Sequence, residues 1–523
     1  MNCSTRSCSP SLVVVTLLGI ILILLPLGAQ GFAQSEEDHR AWLRALDSLS
    51  TERMLADVRT LSSPAFNGRQ AGSEDDLRSA YWVGDQFRAS RISLAFVPLD
   101  QLNVFSGGGG KGRPAATTGF MSTPHQAVVI PPELALHIST ARIPENQQLG
   151  TDFLPVLDSP SAHARAPIVF VGYGIVDTAV NMNDYAGIDV NNCIVLFLRG
   201  KPDHFNGTIT HADKVRIARQ KGAVGYLTAT GPVLSSYELR RGVTGQPSAF
   251  YGHAPAPDNL PGAWISTSRA EHILAGADDS NQGRFRSLQE QLNRTAESRS
   301  FRTELFGALE WETQQEQHPL INVIAVHLGA DPQLTHEAIV IGAHRDHFGR
   351  QAGLLFPGAD DNASGTAVML EVARALAKAG IHQKRTILFV SFSGEEQGLV
   401  GSRLYVGRPV VPLTLTKAMI NIDHAGIGNG RLTVGVTGLE KNVALDAGLT
   451  AGLADKLDVF GFFPGGDHVP FKEAGVPTVT IVSGGVHPHF HQPTDTADTI
   501  NPEILQTVAQ YVLTLAWQLA NAP

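Results

Sequence analysis

Residues 338–346 read Ala338-Ile339-Val340-Ile341-Gly342-Ala343-His344-Arg345-Asp346. A strand with one wet face would alternate polar and apolar side chains. This run does not alternate, so both of its faces are buried, as in a parallel-rich sheet covered by helices on each side. The same texture recurs in Thr386-Ile387-Leu388-Phe389-Val390, in Ala418-Met419-Ile420-Asn421-Ile422 and in Val476 to Ile481. Between the first two lies Ser364 to Ala379, whose apolar residues recur at helical spacing. Asn501-Pro502-Glu503 reads as an N-cap, a first helical position and a first-turn acid, opening a last helix to about Ala520. From Asn322 onward the pattern alternates strand and helix. The expected fold class is α/β, with a mixed, largely parallel sheet flanked by helices.

Several of these strands end in His, Asp or Glu. The first delivers His344 and Asp346. Gly358-Ala359-Asp360-Asp361-Asn362 precedes the helix, the second strand leads to Glu395-Glu396, the third delivers Asp423, and the last precedes His487-Pro488-His489-Phe490-His491. In open α/β sheets ligands bind at the carboxyl edge of the strands. Carboxylates gathered there repel one another and invite a cation; oxygen and imidazole donors without sulfur suit zinc in a hydrolytic site. Taken singly, Glu395-Glu396 reads as a solvated turn, Asp360 as a turn residue, Asp498 as part of the approach to the last helix, and His347 and His487 as surface or supporting histidines. Their joint occurrence at strand ends outweighs those readings.

Upstream, residues 36–93 read as helical, interrupted by the turn-rich Phe66-Asn67-Gly68-Arg69-Gln70-Ala71-Gly72-Ser73. Gly107 to Gly110 with Lys111 lacks the Ser/Thr and the strand–helix frame of a phosphate loop and reads as a surface loop. From about 120 to 290 the chain changes to short strands and turns, the texture of a separate small β-rich domain. The first 33 residues read as a signal peptide: Arg6, the apolar stretch Ser11 to Leu27, and Gly31-Phe32-Ala33 as a small-x-small cleavage site. Cys3 and Cys8 would leave with it, so Cys193 alone remains and neither an internal disulfide nor a thiolate metal site can form. Forty Lys+Arg against 49 Asp+Glu, a net charge of −9, disfavours a nucleic-acid partner. With 43 % hydrophobic and 17 % charged residues the chain is globular rather than disordered.

Gly342-Ala343-His344-Arg345-Asp346-His347, Pro357 to Gly365, Ser393-Gly394-Glu395-Glu396-Gln397-Gly398-Leu399, Asn421-Ile422-Asp423 and His491-Gln492-Pro493-Thr494-Asp495 resemble the five motif blocks of the di-zinc aminopeptidases. That family also includes glutamate carboxypeptidases, the transferrin receptor and glutaminyl cyclases. Gly466-Asp467-His468 resembles a further block, with Gly in place of the usual Ser. Gly68-Arg69-Gln70-Ala71-Gly72-Ser73 is similar to the family's N-terminal turn. Phe170 to Ile175 and Asp184 to Val190 resemble a protease-associated domain. The resemblance spans nearly all of the chain after residue 33. It divides the chain into 1–33 signal peptide, 34–119 N-terminal part of the peptidase domain, 120–290 protease-associated insert and 291–523 zinc peptidase domain.

Transferred block by block, the resemblance implies that His344 and Asp423 hold one zinc ion, Glu396 and His491 a second, and Asp361 bridges them. It implies Glu395 as general base and Asp346 as the residue orienting His344. It also implies a cis peptide at Asp361-Asn362. A ligand carboxylate is committed to its cation, whereas a free one can accept a proton. Many members carry Tyr just before the last His ligand, where its hydroxyl polarises the substrate carbonyl; here that residue is Phe490, which leaves the work to zinc alone or to a neighbour such as His489.

The expected activity is a zinc-dependent exopeptidase, foremost an aminopeptidase acting on peptides through a hydroxide shared by two zinc ions. The expected location is outside the cytoplasm, periplasmic or secreted, with membrane anchoring only if the first segment is retained. A carboxypeptidase or dipeptidase of the same fold is the enzymatic alternative and would need Arg near the metals; Arg345, Arg350 and Arg403 are the local candidates. A single-zinc glutaminyl cyclase and a non-catalytic receptor-like relative are more distant alternatives.

Overall fold

The computed structural model describes residues 37, 39–94, 119–140, 143–235, 238, 239, 242–252, 259–275, 283–380 and 382–523. The expected signal peptide and the Gly107–Gly110 run lie outside them. Among the described residues no helix is long and apolar enough to cross a membrane.

The buried runs read from the sequence form the centre of a nine-stranded sheet. We label its five site-bearing or flanking strands β1 (Gln314–His327), β2 (Ala338–His344), β3 (Thr386–Phe392), β4 (Thr416–Asp423) and β5 (Thr478–Ser483). In space β3, β2, β4 and β5 are consecutive and parallel, and β1 closes on β3 antiparallel. Their registers align the carboxyl ends, with His344 opposite Phe392 and Asp423 opposite Val482.

Every residue of β2 and β3 is buried. Alternate side chains serve opposite faces: Ile339, Ile341 and Ala343 pack with Val58, Phe87, Val372 and Val508 on one side. Ala338 and Val340 pack with Met121, Met419 and Phe471 on the other. Both faces must be apolar because both are covered, which accounts for the missing alternation in the sequence. Each such aliphatic side chain contributes roughly 1.5–3 kcal/mol relative to exposure. Helix α1 (Gly365–Ala379) ends at Gly380 in left-handed conformation, and α2 (Pro502–Asn521) begins under the Asn501 side chain, which accepts from the Glu503 N–H.

A second, eight-stranded sheet has its own core. Its spatial order is Ile143–Asn146, Leu134–Thr140, Phe301–Trp311, Ala162–Phe170, Ile194–Leu198, Gly225–Ala229, Gly262–Ile265 and Phe153–Pro155. Sheet membership shifts both of the boundaries read from sequence at 120 and 290. Phe120–Val129 pairs along its whole length with β1 and so belongs to the first sheet. Phe301–Trp311 pairs with Leu134–Thr140 and Ala162–Phe170 and so belongs to the second. Both are long-range pairings, and strand composition alone does not say which sheet a strand joins.

Candidate metal centre

The parallel strands bring four of the five expected ligands to one edge of the first sheet, and the turn before α1 brings the fifth. His344 is the last residue of β2 and Asp423 the last of β4; Glu395 and Glu396 follow β3, and His491 follows β5. Asp361 lies in the turn before α1, and its peptide bond to Asn362 is cis. Gly358, with φ of 58°, bends the chain beneath this turn; a side chain there would collide with the Asp361 carbonyl oxygen and the His347 ring.

His344 Nε2 is 3.4 Å from Asp361 Oδ1 and 3.4 Å from Asp423 Oδ1. His491 Nε2 is 3.1 Å from Asp361 Oδ2 and 3.6 Å from Glu396 Oε2. The two oxygens of Asp361 are thereby divided between two groups of donors. Hydrogen bonds at the other ring nitrogens aim both imidazoles. His344 Nδ1 faces the Asp346 carbonyl oxygen at 3.2 Å, and His491 Nδ1 faces the Ala249 carbonyl oxygen at 2.9 Å. A ring nitrogen whose proton goes to a carbonyl leaves the opposite nitrogen with a lone pair for a cation. The Asp346 carboxylate stands 3.7 Å from His344 Nδ1 and also accepts the Glu395 N–H at 3.3 Å, so its backbone and its side chain both border that ring.

Two buried groups hold the turn that presents Asp361. Asp495 accepts the N–H groups of Asp360 and Asp361 at 2.9 and 3.1 Å. Arg69, wholly buried, donates to the carbonyls of Arg345 at 2.6 Å, Pro357 at 2.8 Å, Gly358 at 2.9 Å, and Leu61. One guanidinium thus ties together the loops that carry Asp346 and Asp361, which is the work of the Gly-Arg-x-x-Gly-Ser turn.

Electrostatics state the demand for a cation. Burial, reinforced by Asp423, Asp467 and Asp361, pushes Glu395 up to about 8. Burial, with Asp361 and Glu395 beside it, holds Glu396 well above the usual carboxylate range, and burial raises Asp467 to about 7. For His344 burial works the other way, yet Asp423, Asp346 and Asp361 keep it well above an ordinary histidine. Burial likewise opposes ionisation of Asp361, but His424, His344 and His491 hold it well below the usual range. Asp346 Oδ2 and His347 Nε2 are buried without a hydrogen-bond partner. A divalent cation would relieve this crowding of carboxylates, and the nitrogen and oxygen donor set fits zinc.

Several residues stand differently from their sequence reading. His347 is fully buried, with Nδ1 2.8 Å from Glu396 Oε1, and forms a possible ligand triad with Asp361 and Glu396. His487 is also buried and lies 2.6 Å from Asp360 Oδ2. His424, which no motif or spacing marks, places its Nε2 3.6 Å from Asp361 Oδ2. His489 instead bonds the Thr494 hydroxyl. Arg345 is buried on Asp76, Arg350 holds Asn67, and Arg403 pairs with Glu473, so each is engaged outside the cluster.

This mixed α/β architecture is shared with solved structures. The aminopeptidase from Aneurinibacillus sp. strain AM-1 superposes with a TM-score of 0.63 at 24 % identity, over 92 % of this chain and 96 % of that one. The peptidase M28 precursor from Shewanella amazonensis SB2B gives 0.65 at 20 % identity, over 93 % and 97 %. The model described as Peptidase family M28 matches residues 322–516, the segment that carries the five motif blocks. Aminopeptidase YwaD of Bacillus subtilis (strain 168) is 33 % identical over 173 residues, 31 % of this chain. The match spans 38 % of that relative's length.

Proposed function

We propose that the chain is an exported zinc-dependent exopeptidase, foremost an aminopeptidase that removes N-terminal residues from peptides by hydrolysis. The observation that carries this reading is Asp361, whose two oxygens each face a different histidine, His344 and His491. His344, Asp361 and Asp423 would hold one zinc ion, and Asp361, Glu396 and His491 a second. Zinc bound there would supply a water acidic enough to ionise near neutral pH and would polarise a carbonyl.

Glu395 belongs to none of the three groups of possible ligands among the described residues (Asp360, His424 and His487; His344, Asp361 and Asp423; His347, Asp361 and Glu396), so its carboxylate stays available for proton transfer. It takes a proton from the attacking water and passes it to the leaving nitrogen as the C–N bond breaks, giving a free carboxylate and a new amine. Asp346 and Ala249, through their carbonyls, keep the two ligand imidazoles in one orientation.

We read the second sheet as a protease-associated domain that shapes access to the cluster. A cavity of about 720 Å³ supports this, because Glu396, His491 and Phe490 line it together with Tyr251, Arg199 and Trp264 of the second-sheet region. The same cavity gives a carboxypeptidase or dipeptidase reading two cations, Lys201 and Arg199, the latter stacked 3.7 Å above the Trp264 ring. A leucyl peptide with a free amine and its N-acetylated form separate the two. An aminopeptidase cleaves only the first; cleavage of both from the carboxyl end supports the carboxypeptidase reading, and cleavage of neither with zinc bound ends the peptidase proposal.

A further inference from the structure

Tyr251 lies in the segment between two strands of the second sheet, Gly225–Ala229 and Gly262–Ile265, and lines the same cavity as Glu396 and His491. Two residues earlier in this segment, the Ala249 carbonyl meets His491 Nδ1 at 2.9 Å. The Tyr251 ring packs on Phe348 with centroids 5.7 Å apart, and Phe348 packs in turn on His491 at 4.6 Å. A phenol from the second-sheet region thus borders the proposed metal centre.

Its oxygen accepts from two side-chain amides. Gln70 Nε2 donates to it at 3.0 Å and Gln397 Nε2 at 3.1 Å. A second partner fixes which way each amide is turned. Gln70 Nε2 also donates to the Val128 carbonyl at 2.8 Å, and Gln397 Nε2 to the Ala71 carbonyl at 3.2 Å. A carbonyl can only accept, so in both amides the nitrogen, not the oxygen, faces Tyr251. The Gln397 oxygen is engaged by His125 Nε2.

A hydroxyl has two lone pairs and one proton. The amides occupy both lone pairs, and among the described residues no acceptor takes the proton. The same two amides tie the hydroxyl to the site. Gln397 directly follows Glu395 and Glu396. Gln70 bridges main chain to main chain with His347, whose Nδ1 is 2.8 Å from Glu396 Oε1. One unspent O–H is therefore held beside the loop that carries the proposed base and a proposed ligand.

We propose that Tyr251 is a catalytic residue whose O–H donates a hydrogen bond to the carbonyl oxygen of the scissile peptide, with Gln70 and Gln397 as its positioning residues. A phenol carries this proton in its ordinary neutral form, so the donor needs no unusual protonation state. The amides hold the oxygen in place before a peptide arrives. Little reorganisation is then needed as negative charge develops on the carbonyl, and the bond lowers the barrier more than it tightens substrate binding. On this reading the second-sheet region completes the site chemically as well as bordering it.

This inference rests on the peptidase reading, and the experiment separates the two. Wild type and Y251F, both as the full chain loaded with zinc, are compared for kcat, KM, zinc content and melting temperature. Affinities for free leucine and for an α-aminophosphonate, a tetrahedral mimic of the attacked carbonyl, are measured alongside. Phe keeps the ring on Phe348, and each amide keeps its carbonyl partner, so the fold should tolerate the change. Y251F is expected to lose ~10²-fold in kcat, the usual cost of one such donor, with KM, zinc content and melting temperature near wild type. Its phosphonate affinity should fall in parallel, while affinity for leucine holds. Wild-type kcat in Y251F, a rise in KM alone, or equal weakening toward phosphonate and leucine would each reduce Tyr251 to a packing residue and overturn the assignment. A zinc-loaded wild type that cleaves no peptide would instead remove the peptidase reading, and this assignment with it.

Discussion

His491 Nδ1 lies 2.9 Å from the carbonyl oxygen of Ala249, and the Ala249 N–H donates back to the His491 carbonyl at 3.0 Å. A proposed ligand of the first sheet is thus oriented by main chain from the segment between strands of the second. Gln492 adds to this junction by donating to the Pro247 carbonyl at 3.0 Å and the Ser248 hydroxyl at 2.7 Å. Orienting partners of metal-bound histidines commonly account for 10–100-fold in affinity. Gln492→Ala should therefore weaken zinc retention by about tenfold without unfolding the first sheet, as read by competition with a chromogenic chelator. Unchanged zinc affinity would mean that the junction is only a packing contact.

Glu395→Gln keeps the size of the side chain and removes its basic oxygen. Turnover should fall ~10²–10⁴-fold, with zinc content as in wild type. A variant that loses zinc would show Glu395 to be a ligand, and one with normal turnover would place the base elsewhere.

Removal of metal should make stability depend on pH in a specific sense. In the metal-free fold Glu395 is raised to about 8, Asp467 to about 7 and His424 to about 10. Burial raises the two carboxyl groups, whereas for His424 burial acts downward and is outweighed by Asp361, Asp423 and Asp360. All three bind protons more tightly folded than unfolded, so their contribution is present below the unfolded values and is lost as pH rises through the folded ones. The chelated protein should melt at a lower temperature at pH 8 than at pH 6, and zinc should raise the pH 8 value more. Equal melting temperatures at the two pH values, or the opposite order, would contradict the cluster described above.

Arg345 and Asp76 form a wholly buried pair at 2.7 Å, and Asp76 also accepts from the Ser393 hydroxyl at 2.7 Å. Removing one member leaves a buried charge, which typically costs ~3–5 kcal/mol. Asp76→Ala should therefore lower the urea midpoint markedly, consistent with Arg345 serving the fold rather than reading a substrate carboxylate. A shift under about 0.5 kcal/mol, the range of ordinary surface substitutions, would place the pair outside the cooperative core.

The central strands were legible because full burial writes continuous apolar runs, and the ligand residues because they sit at the ends of those runs inside recognisable blocks. What stayed hidden depends on contacts made by the finished fold. Ala249 acts through its carbonyl, which leaves no trace in side-chain identity. Arg69 reads as a polar turn residue until Leu61, Arg345, Pro357 and Gly358 converge on it. His424 reads as one more polar residue after a strand, because its left-handed backbone, and hence its direction, is set only once Asp360 and Ser483 close around it. His347 and His487 read as surface or supporting residues because burial of a strand-end histidine depends on neighbouring loops.

Zinc stoichiometry tests the central claim most directly. Titration of the metal-free protein, followed by calorimetry and checked by elemental analysis, should give two zinc ions per chain. Asp361→Ala should lose both ions or retain a single weak one, because each proposed triad uses one of its oxygens. One zinc per chain in wild type, or two tightly held zinc ions in Asp361→Ala, would contradict the shared-ligand centre.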